Sequence, residues 1–334
     1  MKKIAKRVTL MLVFFLLAAV ISSGSAAWSS DVIVLNAGHV LQADHAYNLA
    51  FLRVAEMVEE RSGGSLRINV FPNSTLGNER DLIEGMQLGL VEMAVVSTGP
   101  LSGFSSAFLV LDLPFMFEDN ESAHSVVDGP IGQGMLESLL ANQLVGIAFW
   151  ENGFRNVTAT HPVRTPEDVR GMRIRTMEAA VHMATFNAMG AIATPMAWGE
   201  VYTALQQGTI DAQENPLANI YLGNIHEVNS YINMTRHFYA PAPVLISRVV
   251  FDRLSPEHQQ IILDVVRENV SYQRNLIQEG EVRFRQALID AGATIIDDID
   301  MDLWRAASQS VYDQFIDTIG ADLIRQVQEA AAGR

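Results

Sequence analysis

Residues 171–216 alternate extended and helical segments, and this order constrains the fold more than any other part of the sequence. The predicted segments are a strand at 172–176, a helix at 178–189, a strand at 191–194, a helix at 198–207 and a strand at 209–215. The last strand breaks into a turn because Pro216 disfavours helical geometry in the residue before it. The result is a β-α-β-α-β unit, in which parallel strands open their carboxyl ends onto a ligand crevice.

Two polar residues fall at strand ends in this unit. Arg173 and Arg175 project to the same side of the first strand, because side chains in a strand alternate between faces. Arg175 and Asn215 come near the ends of two strands, and a guanidinium there can hold a carboxylate through two parallel hydrogen bonds. The alternative is that Arg175 is an ordinary solvated arginine.

The first 27 residues have the pattern of a secretory signal peptide. An apolar run at 8–21 follows a basic segment, and Ser25, Ala26 and Ala27 supply small residues for cleavage near Ala27. The basic residues are Lys2, Lys3, Lys6 and Arg7. The apolar run is short for a membrane span, although an uncleaved anchor is the alternative. We therefore expect a protein exported to a periplasm.

Two residue types are missing from the mature chain, and their absence excludes several kinds of chemistry. The chain has no cysteine, so disulfides, thiolate metal sites and a lipid-modified cysteine anchor are excluded. All three lysines lie in the leader, which excludes a Walker A lysine and Schiff-base catalysis. Removal of the leader changes the formal charge from −15 to −19. Such a chain repels nucleic acid, so an anionic ligand must be attracted by a few local arginines.

The remaining segments predict a second unit of the same plan and a crossing between the two. Strands at 32–36, 66–71 and 91–96 alternate with helices, the first at 45–61. A buried strand at 144–150 runs into a flexible point at Asn152 and Gly153, and the chain returns through a strand at 244–250. A long helix is predicted for 256–291, with a bend at Gly280 or with two packed helices that Gly280 separates.

Three motifs resemble the solute-binding proteins of tripartite ATP-independent periplasmic (TRAP) transporters, of the DctP type. They are Arg173-Ile174-Arg175, Pro195-Met196-Ala197-Trp198 and Gln213-Glu214-Asn215-Pro216. The resemblance implies an α/β, two-lobed periplasmic binding protein fold with hinge strands and a long helix spanning both lobes. Lobe one would comprise residues 28–152 and 241–280, and lobe two residues 153–240 and 281–334. It also implies a small and a large integral membrane subunit as partners, and we expect a monomer without cofactor or catalytic residues.

The same resemblance assigns ligand-binding roles to individual residues. Arg175 would form the main salt bridge to the ligand carboxylate, Arg155 would support it, and Asn215 and Trp198 would line the pocket. The residues near the other end of the ligand would be His39, Asn78, Glu79 and Ser97. As alternatives, Arg155 pairs with Glu151 in a structural ion pair, and His39 and His45, which lack metal-ligand spacing, are ordinary polar histidines.

The sequence favours a sugar acid, such as a hexuronate or aldonate, as the ligand. The candidate pocket offers polar groups for several hydroxyls, including Glu151 and Asn152, and the small residues Ala191 and Ala197 leave room. A C4-dicarboxylate is the second candidate and a 2-oxo acid the third. The alternative from another class is an exported hydrolase or lyase, for which no GxSxG motif is present. A sensor partner that presents ligand to a receptor would use the same site.

Overall fold

The computed structural model describes residues 32–333, and nine strands within this range form one sheet. The strands are β1 (Ile33–Gly38), β2 (Leu66–Phe71), β3 (Met93–Val95), β4 (Leu144–Ala159), β5 (Arg173–Thr176), β6 (Ile192–Pro195), β7 (Ala212–Asn215), β8 (Tyr231–Ser247) and β9 (Thr294–Ile296). They lie in the order β2-β1-β3-β8-β4-β7-β5-β6, with β9 paired to β8. The predicted leader and its cleavage near Ala27 lie outside the described residues.

Thirteen α-helices connect or cover these strands in the same range. They are α1 (Ala46–Arg61), α2 (Glu79–Leu88), α3 (Thr98–Leu101), α4 (Asn120–Val127), α5 (Pro130–Ser138), α6 (Ala180–Ala188), α7 (Val201–Gln206), α8 (Leu217–Leu222), α9 (Arg248–Phe251), α10 (Pro256–Glu268), α11 (Val270–Asp290), α12 (Met301–Ile319) and α13 (Ala321–Ala332). Between residues 32 and 333 no helix combines the length and the apolar character that a membrane span requires.

The β-α-β-α-β unit predicted for residues 171–216 is present. β5 pairs in parallel with β6 on one side and with β7 on the other, and α6 and α7 connect these strands. The two helices end close to Gly190 and Gly208, whose φ angles of 81° and 66° glycine adopts without steric conflict. Arg175 and Asn215 are therefore brought to the carboxyl ends of neighbouring strands. β1 and β3 are likewise parallel in the other lobe.

The strands β4 and β8 are longer than the sequence predicted and run through both lobes. The predicted strand at 144–150 continues to Ala159. β8 runs from Tyr231 through Pro241 and Pro243 to Ser247, so the predicted strand at 244–250 is only its last part, and residues 248–250 belong to α9 instead. β8 tolerates these prolines because β3 ends opposite Val244, so no strand on that side requires their missing N–H groups. The β4–β8 ladder shifts register between Glu151 and Gly153, at the predicted flexible point.

The long helix is interrupted at Asn269, so the predicted bend at Gly280 is wrong. α10 ends at Glu268 and α11 begins at Val270, and the Asn269 side chain donates a hydrogen bond to the Val265 carbonyl at 2.8 Å. Gly280 is buried inside α11, where it packs against Phe284. Early in α11, Gln273 donates to the Glu151 carbonyl on β4, whereas Phe284 belongs to the core of lobe two. The helix therefore contacts both lobes.

Candidate ligand-binding site

A cavity lies beside the carboxyl ends of β5 and β7, and we call it the central cavity. The space between atoms in this cavity is about 290 Å³, part of which is open to solvent. Its lining residues are Val40, Leu41, Tyr47, Glu79, Ser97, Asn152, Arg155, Arg175, Met177, Trp198, Asn215 and Asn219. A side cavity of about 270 Å³ shares part of this wall and adds Asn78 and Arg80. Seven predicted ligand residues are thus brought together, from segments far apart in the sequence.

Arg175 is a buried cation in the wall of the central cavity. Its side chain projects from β5, and the residue is only 3% exposed. Nε and Nη2 donate to the Met196 carbonyl at 2.9 and 2.7 Å, and the guanidinium lies 6.0 Å from the centre of the Trp198 ring. Burial, and then repulsion from Arg155, lower the pKa of Arg175 to about 10. Arg175 therefore stays charged near neutral pH, and its orientation is fixed by a neutral group.

Arg155 also lines the cavity, but a carboxylate neutralises its charge. Its Nε and Nη2 donate to the two carboxylate oxygens of Glu214 at 2.5 and 2.7 Å, and both side chains are fully buried. Burial alone would raise the pKa of Glu214, yet the charge of Arg155 and hydrogen bonds from His237 and Arg155 hold it far below its ordinary value. The alternative prediction, an ion pair between Arg155 and Glu151, is wrong, because Glu151 contacts His124 and Tyr239 instead.

Glu79 places a second carboxylate at the cavity. It is the first residue of α2, and the Ser97 backbone N–H donates to its Oε1 at 2.6 Å. Burial raises the pKa of Glu79, against the opposing effects of Ser97 and the two arginines. The neighbouring Asn78 caps α2 by accepting a hydrogen bond from the Asp81 N–H at 3.0 Å, and it lines the side cavity only.

His39 lines neither the central nor the side cavity. Its Nε2 lies 3.3 Å from Asn48 Oδ1, and its ring contacts those of Tyr47 and Phe51. Burial lowers the pKa of His39 to about 4, against the opposing hydrogen bond with Asn48. The geometry accordingly gives His39 a packing role in lobe one and does not support a ligand contact.

Two polar residues of the central cavity were missing from the predicted set. The Tyr47 hydroxyl is buried and has no hydrogen-bond partner within residues 32–333. Asn219 donates to Asn215 Oδ1 at 3.0 Å, and Asn215 donates to Gln213 Oε1 at 2.6 Å. Asn219 lies close to the predicted Asn215 in the sequence, just after Pro216, and this was a usable signal, whereas nothing in the sequence singles out Tyr47.

A larger groove of about 980 Å³ lies elsewhere, and none of the predicted ligand residues lines it. It is bordered by Gly153, Phe154 and Arg236, whose guanidinium stacks over the Phe154 ring at 4.1 Å. In contrast to the central cavity, this groove presents neither a buried arginine nor a buried hydroxyl without a partner among the residues described. We therefore place the ligand site in the central cavity. Across residues 32–333, no group of three or more His, Asp or Glu side chains could hold a metal ion.

A buried arginine in a polar cavity, within a two-lobed α/β fold with long shared strands, defines a periplasmic solute-binding protein. The chain belongs to the family described as bacterial extracellular solute-binding protein, family 7 (DctP), whose model matches residues 37–318. This family supplies the solute-binding component of TRAP transporters, as the sequence motifs predicted. Its members are periplasmic transport proteins that bind small organic acids and work with TRAP membrane components.

Three relatives illustrate the similarity. The 2,3-diketo-L-gulonate-binding periplasmic protein YiaO of Escherichia coli is 35% identical, over 93% of this chain and 97% of its own. The C4-dicarboxylate-binding periplasmic protein DctP of Rhodobacter capsulatus is 31% identical, over 91% of this chain and 92% of its own. The crystal structure of the sugar acid binding protein DctPAm from Advenella mimigardefordensis, in complex with galactonate, superposes with a TM-score of 0.88. That protein is 31% identical, and the match covers 91% of this chain and 99% of its own.

Proposed function

We propose that this chain binds a sugar acid, with Arg175 holding the ligand carboxylate. The observation that carries the proposal is the burial of a charged guanidinium that no carboxylate neutralises through a direct hydrogen bond within residues 32–333. A buried cation of this kind is stabilised by an anionic ligand, and a planar fork suits a carboxylate. Arg155 lines the same cavity and supports the site, but it adds no uncompensated charge because Glu214 balances its own.

The other polar groups of the cavity suit a ligand with several hydroxyls. Tyr47 contributes a buried hydroxyl, Asn215 and Asn219 contribute amides, and Glu79 contributes an acceptor. The half-buried Trp198 ring beside Arg175 offers a flat apolar surface for the carbon skeleton. Galactonate and 2,3-diketo-L-gulonate, the ligands named for two relatives, are polyhydroxylated or oxidised sugar acids with one carboxylate.

We further propose that the protein is exported with cleavage near Ala27 and diffuses as a monomer without a lipid anchor. It acts as a binding protein, not as a hydrolase or lyase. Lobe one (residues 28–152 and 241–280) and lobe two (residues 153–240 and 281–334) close around the ligand, so that binding stabilises the closed state. The closed complex then docks on the membrane subunits. The lobe boundary at 152/153 is supported by the register shift in β4.

A ligand screen followed by one pair of variants tests the site. D-Galactonate and D-glucuronate should raise the melting temperature, because ligand at a hundred times its Kd adds about 2.7 kcal/mol to stability. Arg175→Lys should weaken binding of the better ligand about 10- to 100-fold in isothermal titration calorimetry, since an ammonium lacks the planar fork. The matched control is Arg173→Lys on the same strand, where the partly exposed Arg173 pairs with Asp211.

The control variant should bind like the unaltered protein. If Arg175→Lys and Arg175→Ala both retain the original Kd, Arg175 does not hold the ligand. If succinate or another C4-dicarboxylate stabilises the protein and no sugar acid does, the dicarboxylate alternative replaces the sugar acid.

A further inference from the structure

Of the two cationic side chains that line the central cavity, one is hydrogen-bonded to a carboxylate within residues 32–333 and the other is not. Arg155 and Arg175 are its two cationic side chains, and Glu79 is its carboxylate. Glu214, directly behind Arg155, binds that guanidinium through both carboxylate oxygens. Arg175 donates to the neutral Met196 carbonyl and is therefore the cation in this wall that remains for a ligand carboxylate.

A second carboxylate on the ligand would find no cation in the rest of the lining. Apart from the two arginines, the wall consists of apolar residues, hydroxyls, amides and Glu79. The side cavity adds Arg80, but this residue is exposed and pairs with Glu84 at 2.9 Å. Unpaired buried charges are strongly disfavoured, and only the first carboxylate has a cation to compensate it.

Glu79 adds a repulsive interaction against a second carboxylate on the ligand. Its Oε1 is fixed by the Ser97 N–H at 2.6 Å, so the carboxylate is held at the wall it shares with Arg175. A ligand hydroxyl can donate a hydrogen bond to such a carboxylate, whereas a ligand carboxylate has no proton to donate and is repelled. The same side chain therefore favours a polyol chain and disfavours a second acid group.

We propose that Glu79 restricts the central cavity to acids with one carboxylate and several hydroxyls, and that it excludes dicarboxylates, including aldarates and C4-dicarboxylates. The inference rests on the proposed function and specifies its ligand class. It assigns Glu79 a role in selectivity, separate from the role of Arg175 in holding the first carboxylate.

Ligand pairs that share a carbon skeleton test this role. D-Galactonate and galactarate differ only in the terminal group, CH2OH or carboxylate, as do D-gluconate and D-glucarate. By isothermal titration calorimetry near neutral pH, the unaltered protein should bind each monoacid at least about 100-fold more tightly than the matching diacid, a ratio equivalent to about 2.7 kcal/mol. Glu79→Gln, which still accepts from Ser97, should lower that ratio at least about tenfold, mainly by improving diacid binding.

Two further variants separate charge from structure. Glu79→Asp keeps the negative charge and should retain most of the discrimination. Glu56→Gln, at an exposed position of α1 that lines neither cavity, should leave both affinities unchanged. Because the ratio in the unaltered protein is itself a test, the proposal stays falsifiable even if Glu79→Gln fails to fold.

The outcomes distinguish this inference from the proposed function. If galactonate and galactarate bind the unaltered protein equally well, or if Glu79→Gln leaves their ratio unchanged, the selectivity role of Glu79 is overturned while sugar acid binding stands. If no sugar acid binds at all, the proposed function fails and this inference fails with it.

Discussion

At the scale of single residues, two ion pairs in this chain differ in what they contribute. The Arg155–Glu214 pair is buried on both sides, with side chains at most 1% exposed. The Arg61–Glu268 pair has similar geometry, but its side chains are 38% and 50% exposed. Water solvates the exposed pair whether or not it forms, whereas each buried charge depends on its partner. Breaking the buried pair deprives the Glu214 carboxylate of the guanidinium that binds both its oxygens, and leaves the hydrogen bond with His237.

Arg155→Met should therefore lower the free energy of unfolding by about 3–5 kcal/mol, because it strands Glu214 in the interior. Urea denaturation of the ligand-free protein measures this change. The matched control, Arg61→Met, should cost less than about 1 kcal/mol. Adding Glu214→Gln to Arg155→Met should recover part of the loss by removing the stranded charge. Equal losses for the two single variants would contradict this account of the buried pair.

At the scale of elements, β4 and β8 form the continuous connection between the lobes. They pair in antiparallel fashion from Leu144 to Ala159, and Gly153 on β4 has a φ of 101°. A glycine takes this φ readily, but a residue with a Cβ is strained there. Space is not the constraint, because a Cβ at Gly153 would meet no atom closer than 3.5 Å. The backbone conformation itself requires glycine at this bulge.

Gly153→Ala should lower the free energy of unfolding by about 1–3 kcal/mol through backbone strain alone. Thermal and urea denaturation of the ligand-free protein would measure it. Gly199→Ala serves as the control, because Gly199 lacks a positive φ and has open space around its Cβ position. That control should change stability by less than about 1 kcal/mol. A neutral effect at Gly153 would show that the ladder relaxes to another backbone conformation.

At the scale of the whole molecule, two buried histidines make the free energy of unfolding depend on pH. Burial lowers the pKa of His39 to about 4, and burial together with repulsion from His39 lowers the pKa of His45 to about 3. The hydrogen bond between His39 Nε2 and the accepting Asn48 Oδ1 opposes the shift at His39. In the unfolded chain both rings take up protons near pH 6.5, their ordinary pKa. Between these values the unfolded state binds more protons than the folded state, so acid favours unfolding.

The free energy of unfolding should accordingly fall as the pH drops from about 6.5 to about 4, with on the order of 3 kcal/mol from His39 alone. Melting temperatures across this range would measure the slope. His39→Gln keeps a donor for Asn48 and should flatten the slope, whereas His161→Gln, at an exposed position, should not. The Glu214 contribution is lost only below the ordinary carboxylate pKa, because its own pKa is lowered. An unchanged slope in His39→Gln would contradict the assignment.

The sequence predicted features that depend on the order of neighbouring segments. It missed features that depend on how distant strands pair. Alternation and glycine spacing were sufficient for the unit at 171–216 and for Arg175 and Asn215 at its strand ends. The partner of Arg155 was not predictable, because β4 meets Glu214 only through its pairing with β7, in which Val157 lies opposite Glu214. The family resemblance placed His39 near the ligand, whereas in the folded chain its ring contacts Asn48, Tyr47 and Phe51 of α1.

The break in the long helix was misplaced for a related reason. Glycine lowers helix propensity, so Gly280 was the natural position for a bend. In the folded chain Gly280 is held inside α11 by packing, and the interruption falls at Asn269, where a side-chain amide competes for a backbone carbonyl. Propensity describes an isolated segment, whereas in the folded chain packing keeps Gly280 helical and a local side-chain hydrogen bond marks the interruption at Asn269.

Two of the three register shifts in the β4–β8 ladder lie on either side of Arg155, between Glu151 and Gly153 and between Arg155 and Val157. If the proposed closure of the lobes rotates the chain at either shift, the Arg155 guanidinium and the Glu214 carboxylate bound to it move with that rotation. We therefore expect a spectroscopic label on either lobe to respond both to ligand in the central cavity and to the angle between the lobes.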